Sequence, residues 1–442
     1  MKKREFLELL AAGGAMPLML AGCGGDKAGS APVRLVNASV DYPKLGFMDD
    51  TTQAVTDIAY GTASAFVSVQ AGTVTTSLTV NTGATNSTVS TSTRSLNKDA
   101  RYSLVAYGFV DELKSVLITE STTTPDNGNA NINVLNTSAD IGPVDVYVSP
   151  GTDLSLGTLI ASSVNGVAQS VFTGVSVASG PYYITVVGAN SIAKGLSDVR
   201  FQTPTAVTLK NLQVLTVILT PGASGVLANA ILLTQGTTGT ATSFLNTTAR
   251  VRAVAATGNS GTVSVAGVLP TVASPNYSNY VVVPSGAAPA VQANGAPLPS
   301  SGTLKAGGDY TLLVYLDAQG NPTSSLVLDD NTVPVTATGV KTRLINLVYN
   351  TANATNPLLL SMKVNNINTA SNIAYAAASP YTEVSAPSGV SSVIEVYSGA
   401  SSVVLHQSPL AVGNIFTEIV VGVGNPGATG GVTDFFEAAA SA

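Results

Sequence analysis

The chain has 442 residues, of which 45% are apolar, only 10% are charged, 42 are glycine and none is tryptophan. Because it holds one histidine, His406, and one cysteine, Cys23, it cannot build a histidine-rich metal site, a cysteine zinc site or a disulfide framework, and any nucleophile–histidine pair would have to use His406. The chain has a net charge of −6 and too few basic residues to form a face that binds phosphates, so we expect no nucleic-acid partner.

Residues 1–22 have the pattern of an export signal. Met1 is followed by Lys2, Lys3 and Arg4, a short apolar stretch comes next, and residues 20–23 read Leu-Ala-Gly-Cys. This order resembles a bacterial lipoprotein signal peptide, in which a basic region and a short apolar segment precede small residues and a cysteine. The resemblance implies that Cys23 is the lipidated mature N-terminus and attaches the protein to the membrane. The glycine-rich residues 23–32 predict a tether.

The same segment bears on localisation and export. Cys23 is followed by Gly24 rather than by the aspartate that retains some lipoproteins in the inner membrane, which favours the outer membrane of a bacterial envelope. Residues 3–7, Lys-Arg-Glu-Phe-Leu, resemble the twin-arginine export motif with lysine in place of the first arginine, so both twin-arginine export and ordinary secretion remain open. Removal of residues 1–22 leaves 16 basic and 23 acidic residues.

The remainder of the chain predicts an all-β protein. Valine, threonine, serine, asparagine and glycine dominate, and no window outside the signal has helical periodicity. The uncharged stretch 211–233 is split by Pro221 and Gly222, so we expect two core strands there rather than a membrane span. A short strand motif recurs four times at spacings of 99, 119 and 91 residues, which is the length of an immunoglobulin-like sandwich. Its copies are 33–37, 132–136, 251–255 and 342–346.

A second motif follows each copy of the first. It consists of a leucine, then six residues later an aromatic residue or leucine, and then serine or threonine. We interpret it as a turn that leads into a late sandwich strand, similar to the tyrosine corner of such folds. Its copies begin at Leu96, Leu209, Leu304 and Leu410 and end at Ser103, Thr216, Thr311 and Thr417.

The two motifs together predict four tandem immunoglobulin-like β-sandwiches. The boundaries are 33–128, 129–236, 248–338 and 339–442, with a linker at 237–247. Pairing the strands differently would give two larger domains, near 33–236 and 248–440.

Two stretches resemble the bacterial domain of unknown function 4397. They are residues 34–43, which begin Arg-Leu-Val-Asn-Ala-Ser, and residues 135–148, which end Pro-Val-Asp-Val-Tyr-Val. The resemblance implies a secreted or surface-anchored β-sandwich without an assigned reaction. Asn37, Asn136 and Asn346 stand where that family often has histidine.

Several residues are of types that bind metal ions or act in catalysis, but their patterns favour structural roles. Aspartates that could bind calcium occur in pairs, whereas calcium needs six to eight oxygen ligands, so we interpret them as turn formers. These are Asp49 with Asp50, Asp140 with Asp145, and Asp329 with Asp330. His406 is more typical of a lone surface histidine than of a base. We therefore expect no catalytic residue, no cofactor and no metal site.

These observations predict a lipid-anchored cell-envelope protein that is not an enzyme and acts in binding, adhesion or structure. Its partners would be the membrane, through lipidated Cys23, and an envelope or extracellular protein or glycan. One alternative is a carbohydrate or small-ligand site between sandwiches. A carboxylate-based hydrolase is a further alternative, which would require two buried carboxylates converging in one cleft.

Overall fold

The computed structural model describes residues 29–83, 85–110, 112–166, 175–189, 198–236, 238–258, 261–265, 269–299, 302–349, 358–386, 390–423 and 432–438. The signal segment and Cys23, both assigned from sequence, lie outside the described residues. Within these ranges the chain is all-β, apart from a 3₁₀ turn at Leu154–Leu156. No helix in the described ranges has the length and apolar character needed to cross a membrane.

Sandwiches 1 and 2 each consist of two facing sheets. The strands of sandwich 1 are β1 (Ser30–Asn37), β2 (Lys44–Asp49), β3 (Thr52–Ala59), β4 (Val67–Gln70), β5 (Gly72–Asn81), β6 (Asn86–Leu96), β7 (Tyr102–Tyr107) and β8 (Lys114–Thr119). The strands of sandwich 2 are β9 (Asn129–Asn136), β10 (Val144–Ser149), β11 (Thr158–Val164), β12 (Ser176–Ala178), β13 (Gly180–Gly188), β14 (Val199–Gln202), β15 (Val207–Leu209), β16 (Val214–Pro221), β17 (Ala228–Thr234) and β18 (Ala241–Phe244).

Sandwiches 3 and 4 repeat the arrangement. The strands of sandwich 3 are β19 (Thr248–Ala256), β20 (Thr262–Val265), β21 (Leu269–Ala273), β22 (Asn276–Tyr277), β23 (Val281–Pro284), β24 (Val291–Ala293), β25 (Ala296–Pro297), β26 (Asp309–Leu316) and β27 (Pro322–Asp329). The strands of sandwich 4 are β28 (Gly339–Tyr349), β29 (Leu360–Val364), β30 (Ile367–Ile373), β31 (Ala377–Ala378), β32 (Thr382–Ser385), β33 (Ser391–Ser398), β34 (Ser401–Pro409), β35 (Ile415–Val423) and β36 (Val432–Ala438).

In each sandwich, one sheet contains the first repeated strand, and we call it the pairing sheet. The pairing sheets have the orders β4-β1-β7-β8, β12-β9-β16-β17-β18, β22-β19-β26-β27 with β23 also on β19, and β31-β28-β35-β36 with β32 also on β28. The other sheet, which we call the outer sheet, has the order β3-β2-β5-β6 in sandwich 1 and β30-β29-β33-β34 in sandwich 4. The first strand of every pairing sheet lies parallel to the strand that carries the second motif, so the two motifs are neighbours in space.

The corner interpretation of the second motif is confirmed where the motif holds a tyrosine. The hydroxyl of Tyr102 accepts the backbone N–H of Asn97 at 2.9 Å, and the hydroxyl of Tyr310 accepts that of Lys305 at 2.9 Å. Leu215 and Phe416 occupy the same position in sandwiches 2 and 4 and have no hydroxyl, so these corners lack the bond.

Apolar residues fill two kinds of interface. Each sandwich has its own core between its two sheets, made mainly of valine, leucine, isoleucine and alanine. Two further clusters join the pairing sheets of different sandwiches, 1 with 2 and 3 with 4. The first contains Val36, Ala38, Val105, Tyr107, Val116, Ile118, Leu135, Ile218, Ile231 and Leu233. The second contains Val254, Ala256, Leu313, Ile345, Leu347, Ile419 and Val421.

The interface between the pairing sheets of sandwiches 1 and 2 explains why the stretch 211–233 has no charged residue. Strand β16 is buried at every position because one face contacts its own sandwich core and the other contacts sandwich 1. A strand covered on both faces has no need of alternating polar residues. The expectation of two core strands is confirmed in β16 and β17.

Two segments differ from the boundaries expected from sequence. Strand β1 begins at Ser30, inside the expected tether, because Ala31 is fully buried and pairs with Val69. Residues 241–244 of the expected linker form β18, which pairs with β17. An added strand satisfies the backbone groups that β17 would otherwise expose at the sheet edge. Composition alone predicts a tether and a linker at these two places, because it does not show which residues pair with a neighbouring strand.

Candidate functional site

The two repeated motifs meet at a buried arginine in sandwich 1. Arg34 lies in register with Ser103, and its Nε donates to the Ser103 hydroxyl at 2.8 Å. Its Nη2 donates to Oε1 of Glu120 at 2.5 Å, and its guanidinium lies 4.8 Å from the ring centre of Phe66. Arg34 is 0% exposed and Glu120 is 2% exposed. A buried cation is tolerated only when it is paired and hydrogen-bonded, as Arg34 is.

The same arrangement occurs twice where sandwiches 3 and 4 meet. Arg252 donates to the hydroxyl of Thr311 at 2.9 Å, and Arg343 donates to that of Thr417 at 3.2 Å. Both arginines share one counter-ion, Asp329, whose Oδ1 lies 2.5 Å from Nη2 of Arg343 and whose Oδ2 lies 4.0 Å from Nε of Arg252. The guanidinium groups lie over tyrosine rings, that of Arg252 at 4.8 Å from Tyr280 and that of Arg343 at 4.6 Å from Tyr381.

Sandwich 2 lacks this arginine. Asn133 occupies the position, and the partner threonine, Thr216, is bonded instead by the side-chain amide of Gln235 at 2.9 Å. Arg34 of sandwich 1 reaches across to the carbonyl oxygens of Thr234 and Gly239, at 2.9 and 2.8 Å. The buried arginines therefore hold neighbouring sandwiches face to face and do not face solvent.

The repeated asparagines are also structural. The amide of Asn136 donates to the carbonyl oxygens of Gly142 and Val164, and its Oδ1 accepts the backbone N–H of Ser138. Asn37 and Asn346 make the same pattern of two donated bonds and one accepted bond. Asparagine thus closes the loop after the first strand at the positions where the resembling family often has histidine.

The aspartates considered for calcium are not brought together. Asp140 accepts the backbone N–H of Val333 at 2.7 Å, whereas Asp145 accepts that of Ser163 at 2.8 Å. Asp329 pairs with Arg252 and Arg343, and Oδ2 of Asp330 lies 2.9 Å from Nζ of Lys341. Asp49 and Asp50 likewise belong to no group of three metal-ligating side chains within the described ranges.

Two buried carboxylates do converge in sandwich 3. Asp309 and Asp329 are cross-strand partners on β26 and β27, and both are 0% exposed. Asp309 lies 3.4 Å from Arg250 and accepts a hydrogen bond from Asn331 at 2.7 Å, while burial raises its pKa. The pair is covered by the interface between sandwiches and neutralised by arginines. It does not lie in a cleft that admits a substrate, which is what the hydrolase hypothesis requires.

His406 belongs to a group that the sequence analysis did not anticipate. Its Nε2 lies 3.1 Å from Oε2 of Glu418 and 4.0 Å from Oδ2 of Asp434, and one ligand atom from each of the three lies within 4.8 Å of the others. The side chain of His406 is 25% exposed, that of Glu418 is 0% exposed and that of Asp434 is 39% exposed. The hydrogen bond to Glu418 raises the pKa of His406, and burial raises the pKa of Glu418.

The repeat register contains the signal that would have found this group. Glu418 follows Thr417 on β35, and the residues that follow the matching serine or threonine in the other sandwiches are Leu104, Val217 and Leu312. Those three are fully buried in sandwich cores. An acid at a position that is otherwise apolar was visible in the sequence, but its partners are 12 and 16 residues away on other strands.

An open cleft of about 580 Å³ lies between sandwich 1 and the end of sandwich 2. It is lined by residues 62–66 and 238–241, which are small or hydroxyl-bearing except for Phe66. Among the described residues, this cleft is a candidate for the ligand site between sandwiches that the sequence left open.

Comparisons with known proteins agree with the resemblance read from the sequence. Residues 31–147, which comprise sandwich 1 and the start of sandwich 2, match the family model described as "Domain of unknown function (DUF4397)". No curated protein matches the chain. Among solved structures, "The Bacillus anthracis TIE protein" matches with 10% identity and a TM-score of 0.14, over 85% of this chain and 65% of that one. The chain thus spans less than two thirds of that structure, and a likeness at this TM-score carries no argument.

Proposed function

We propose that this chain, which carries a DUF4397 segment, is a lipid-anchored protein of the bacterial cell envelope with a non-catalytic binding, adhesion or structural role. The proposal rests on the location of the buried charged residues, which lie in the interfaces between sandwiches. Arg34, Arg252 and Arg343 join sandwiches face to face with their carboxylates, and all of these residues are 0–2% exposed. A chain that commits these groups to its internal interfaces is suited to present a stiff surface rather than to catalyse a reaction.

The anchoring part of the proposal rests on residues 1–23. The basic start, the short apolar segment and the only cysteine of the chain occur in the order of a lipoprotein signal. Acyl chains contribute about 0.8 kcal/mol per buried CH₂, so several chains on Cys23 would attach the protein stably. Gly24 after the cysteine favours the outer membrane.

Fatty-acid labelling tests the anchor. Cells expressing the chain or its Cys23→Ala variant are grown with a radiolabelled fatty acid, and Gly25→Ala serves as the matched control. We expect label in the parent and in the control and none in Cys23→Ala. Label retained in Cys23→Ala would disprove anchoring through this residue.

Protease treatment of intact cells then tests display. Cleavage of the anchored body from outside would support adhesion or binding of an extracellular protein or glycan. Resistance in intact cells, with cleavage after the outer membrane is opened, would place the body in the periplasm and favour a structural role there.

A second candidate function, binding of a glycan or small ligand, is supported by the open cleft between residues 62–66 and 238–241. Its hydroxyl groups and the half-buried Phe66 suit a polar, uncharged ligand. The exposed Thr62 is changed to arginine to obstruct the cleft, with the exposed Thr88→Arg as the control. Binding to a glycan array that is lost in Thr62→Arg alone would support this function, and binding that is equal in both variants would oppose it.

A further inference from the structure

Sandwich 4 differs from the other three at one core position. Along β35, Thr417, Ile419 and Val421 face sandwich 3, whereas Phe416 and Val420 face the core of sandwich 4. Glu418 lies between those two core residues in sequence and shares their face, because strand residues alternate. A carboxylate is therefore placed where the fold otherwise has Leu104, Val217 or Leu312. Residues that violate the core pattern of a fold are concentrated at functional sites.

Two further ionisable residues accompany this change. Asp434 lies opposite Val420 on the edge strand β36, and the corresponding residues of sandwiches 1 to 3 are Ser115, Ala230 and Ser324. His406 lies on β34, the edge strand of the outer sheet, and points inward between the sheets, where its Nε2 meets Glu418. The three residues come from two different sheets and meet at the open edge of the sandwich.

We propose that His406, Glu418 and Asp434 form a binding site for a divalent transition-metal ion, with Zn²⁺ as the best-fitting ion. An imidazole and two carboxylates are a donor set that such an ion accepts. A tetrahedral zinc ion bound at about 2.0–2.1 Å holds its ligand atoms roughly 3.4 Å apart. The separations of 3.1 and 4.0 Å from Nε2 to the two carboxylate oxygens bracket that value, and the three ligand atoms all lie within 4.8 Å of one another.

The buried carboxylate supplies an independent reason. Oε1 of Glu418 is buried and has no hydrogen-bond partner among the described residues. A buried carboxylate oxygen without a partner is strongly unfavourable unless something neutralises it. A cation at the site would coordinate this carboxylate and remove the penalty, which an ion pair through Oε2 alone does not do.

At this location the ion would join the edge strands of the two sheets of sandwich 4. Sandwich 1 closes the same edge with protein groups, because Arg94 on β6 donates to the hydroxyl and the carbonyl oxygen of Ser115 on β8 at 2.6 and 2.9 Å. In sandwich 4 the corresponding strands β34 and β36 would be joined through the metal. Three protein ligands also leave one tetrahedral position for water or for a donor from a partner molecule.

Zinc binding to the full chain tests the proposal. The protein is prepared without a polyhistidine tag and with Cys23→Ala, so that His406 is the only histidine and no thiol competes for the ion. Calorimetric titration with Zn²⁺ at slightly alkaline pH should give one saturable site. His406→Ala and Glu418→Leu should abolish it. Asp434→Ser should weaken it at least as much as loss of an outer-shell partner does, about 10- to 100-fold.

These variants separate an effect on zinc binding from an effect on folding. Glu418→Leu and Asp434→Ser restore residues that sandwiches 1 and 3 use at the same positions, so both should fold. Gln407→Ala, an exposed neighbour of His406, is the matched control and should bind as the parent does.

A second readout uses the single histidine. The imidazole resonances of His406 should shift on addition of one equivalent of Zn²⁺ in the parent and stay in place in Glu418→Leu. Folded parent protein without saturable Zn²⁺ binding, or binding that survives in both His406→Ala and Glu418→Leu, would overturn the proposal and leave a simple histidine–glutamate ion pair.

Discussion

Arg34, Arg252 and Arg343 occupy the same position of the first repeated strand, and each is surrounded by the same three groups. A serine or threonine hydroxyl accepts from Nε, an aromatic ring lies under the guanidinium, and a carboxylate neutralises the charge. Removal of one partner from a buried ion pair leaves an uncompensated charge, whereas replacement of both by apolar residues is often neutral. This asymmetry provides a direct test of the arginine sites.

For the pair of Arg34 and Glu120 we expect a non-additive result. Glu120→Gln should lower the free energy of unfolding by about 3 to 5 kcal/mol, while the double variant Arg34→Met with Glu120→Leu should recover most of that loss. Urea denaturation measures both, with the exposed Glu112→Gln as the control. Equal destabilisation by Glu120→Gln and by the double variant would contradict the expectation that the cost of Glu120→Gln comes from leaving the charge of Arg34 unpaired.

Asp140 gives a pH-dependent prediction at the contact between sandwiches 2 and 3. Burial raises its pKa above 3.8, the hydrogen bond from Val333 and the charge of Lys341 oppose the rise, and the charge of Asp330 adds to it. The folded state thus holds the proton at a pH where the unfolded state has lost it. The protonated Asp140 side chain contributes to the free energy of unfolding. This contribution is fully present below about pH 3.8 and is lost as the pH rises through the raised pKa of Asp140.

Asp140→Asn removes this loss while keeping an oxygen that accepts from Val333. The variant should melt at a higher temperature than the parent at pH 7, and the difference should vanish near pH 3.5. Calorimetry at both pH values checks the expectation, with the more exposed Asp145→Asn as the control. A difference that is the same at both pH values would show that desolvation of the carboxylate is not its cause.

At the scale of elements, the repeated motifs were sufficient to predict four sandwiches and the corner tyrosines. They were not sufficient to predict what the serine or threonine of the second motif does, because its contact with arginine depends on the parallel register of two strands about 60 to 80 residues apart. Glu418 was missed for a different reason, because its partners His406 and Asp434 lie on β34 of the facing sheet and on β36, and the sequence does not show that these strands meet. Strand β18 was missed because its four residues, Ala-Thr-Ser-Phe, lie in a segment whose composition is typical of linkers.

Strand β18 should protect the edge of sandwich 2. Replacement of residues 241–244 by Gly-Ser-Gly-Ser removes the side chains that hold it and should leave β17 as an unpaired edge, which favours association between chains. Sedimentation velocity should show association that increases with protein concentration. The same measurement on a variant with Gly-Ser at the exposed residues 318–319 controls for added flexibility, and a monomeric β18 variant would contradict the protective role.

At the scale of the whole molecule, the sandwiches form two face-to-face pairs. The sheet faces of sandwiches 1 and 2 meet through residues such as Leu135, Ile218 and Ile231, all 0% exposed. The family match at 31–147 includes nearly all of sandwich 1 but only β9 and most of β10 of sandwich 2. The matched segment therefore presents one apolar sheet face that, in this chain, is covered mainly by strands outside the match.

A charge placed in the interface between sandwiches 1 and 2 should separate this pair. Ile231→Asp places a charge in the interface between sandwiches 1 and 2, outside the core of either one, so the interface should open while both cores stay folded. Small-angle scattering should show a larger radius of gyration than that of the parent, with unchanged far-UV circular dichroism. Val89→Asp, at a position that is 37% exposed, should leave the radius unchanged. An unchanged radius in a folded Ile231→Asp protein would mean that the bonds of Arg34 to Thr234 and Gly239, with the rest of the apolar cluster, are enough to hold the pair together.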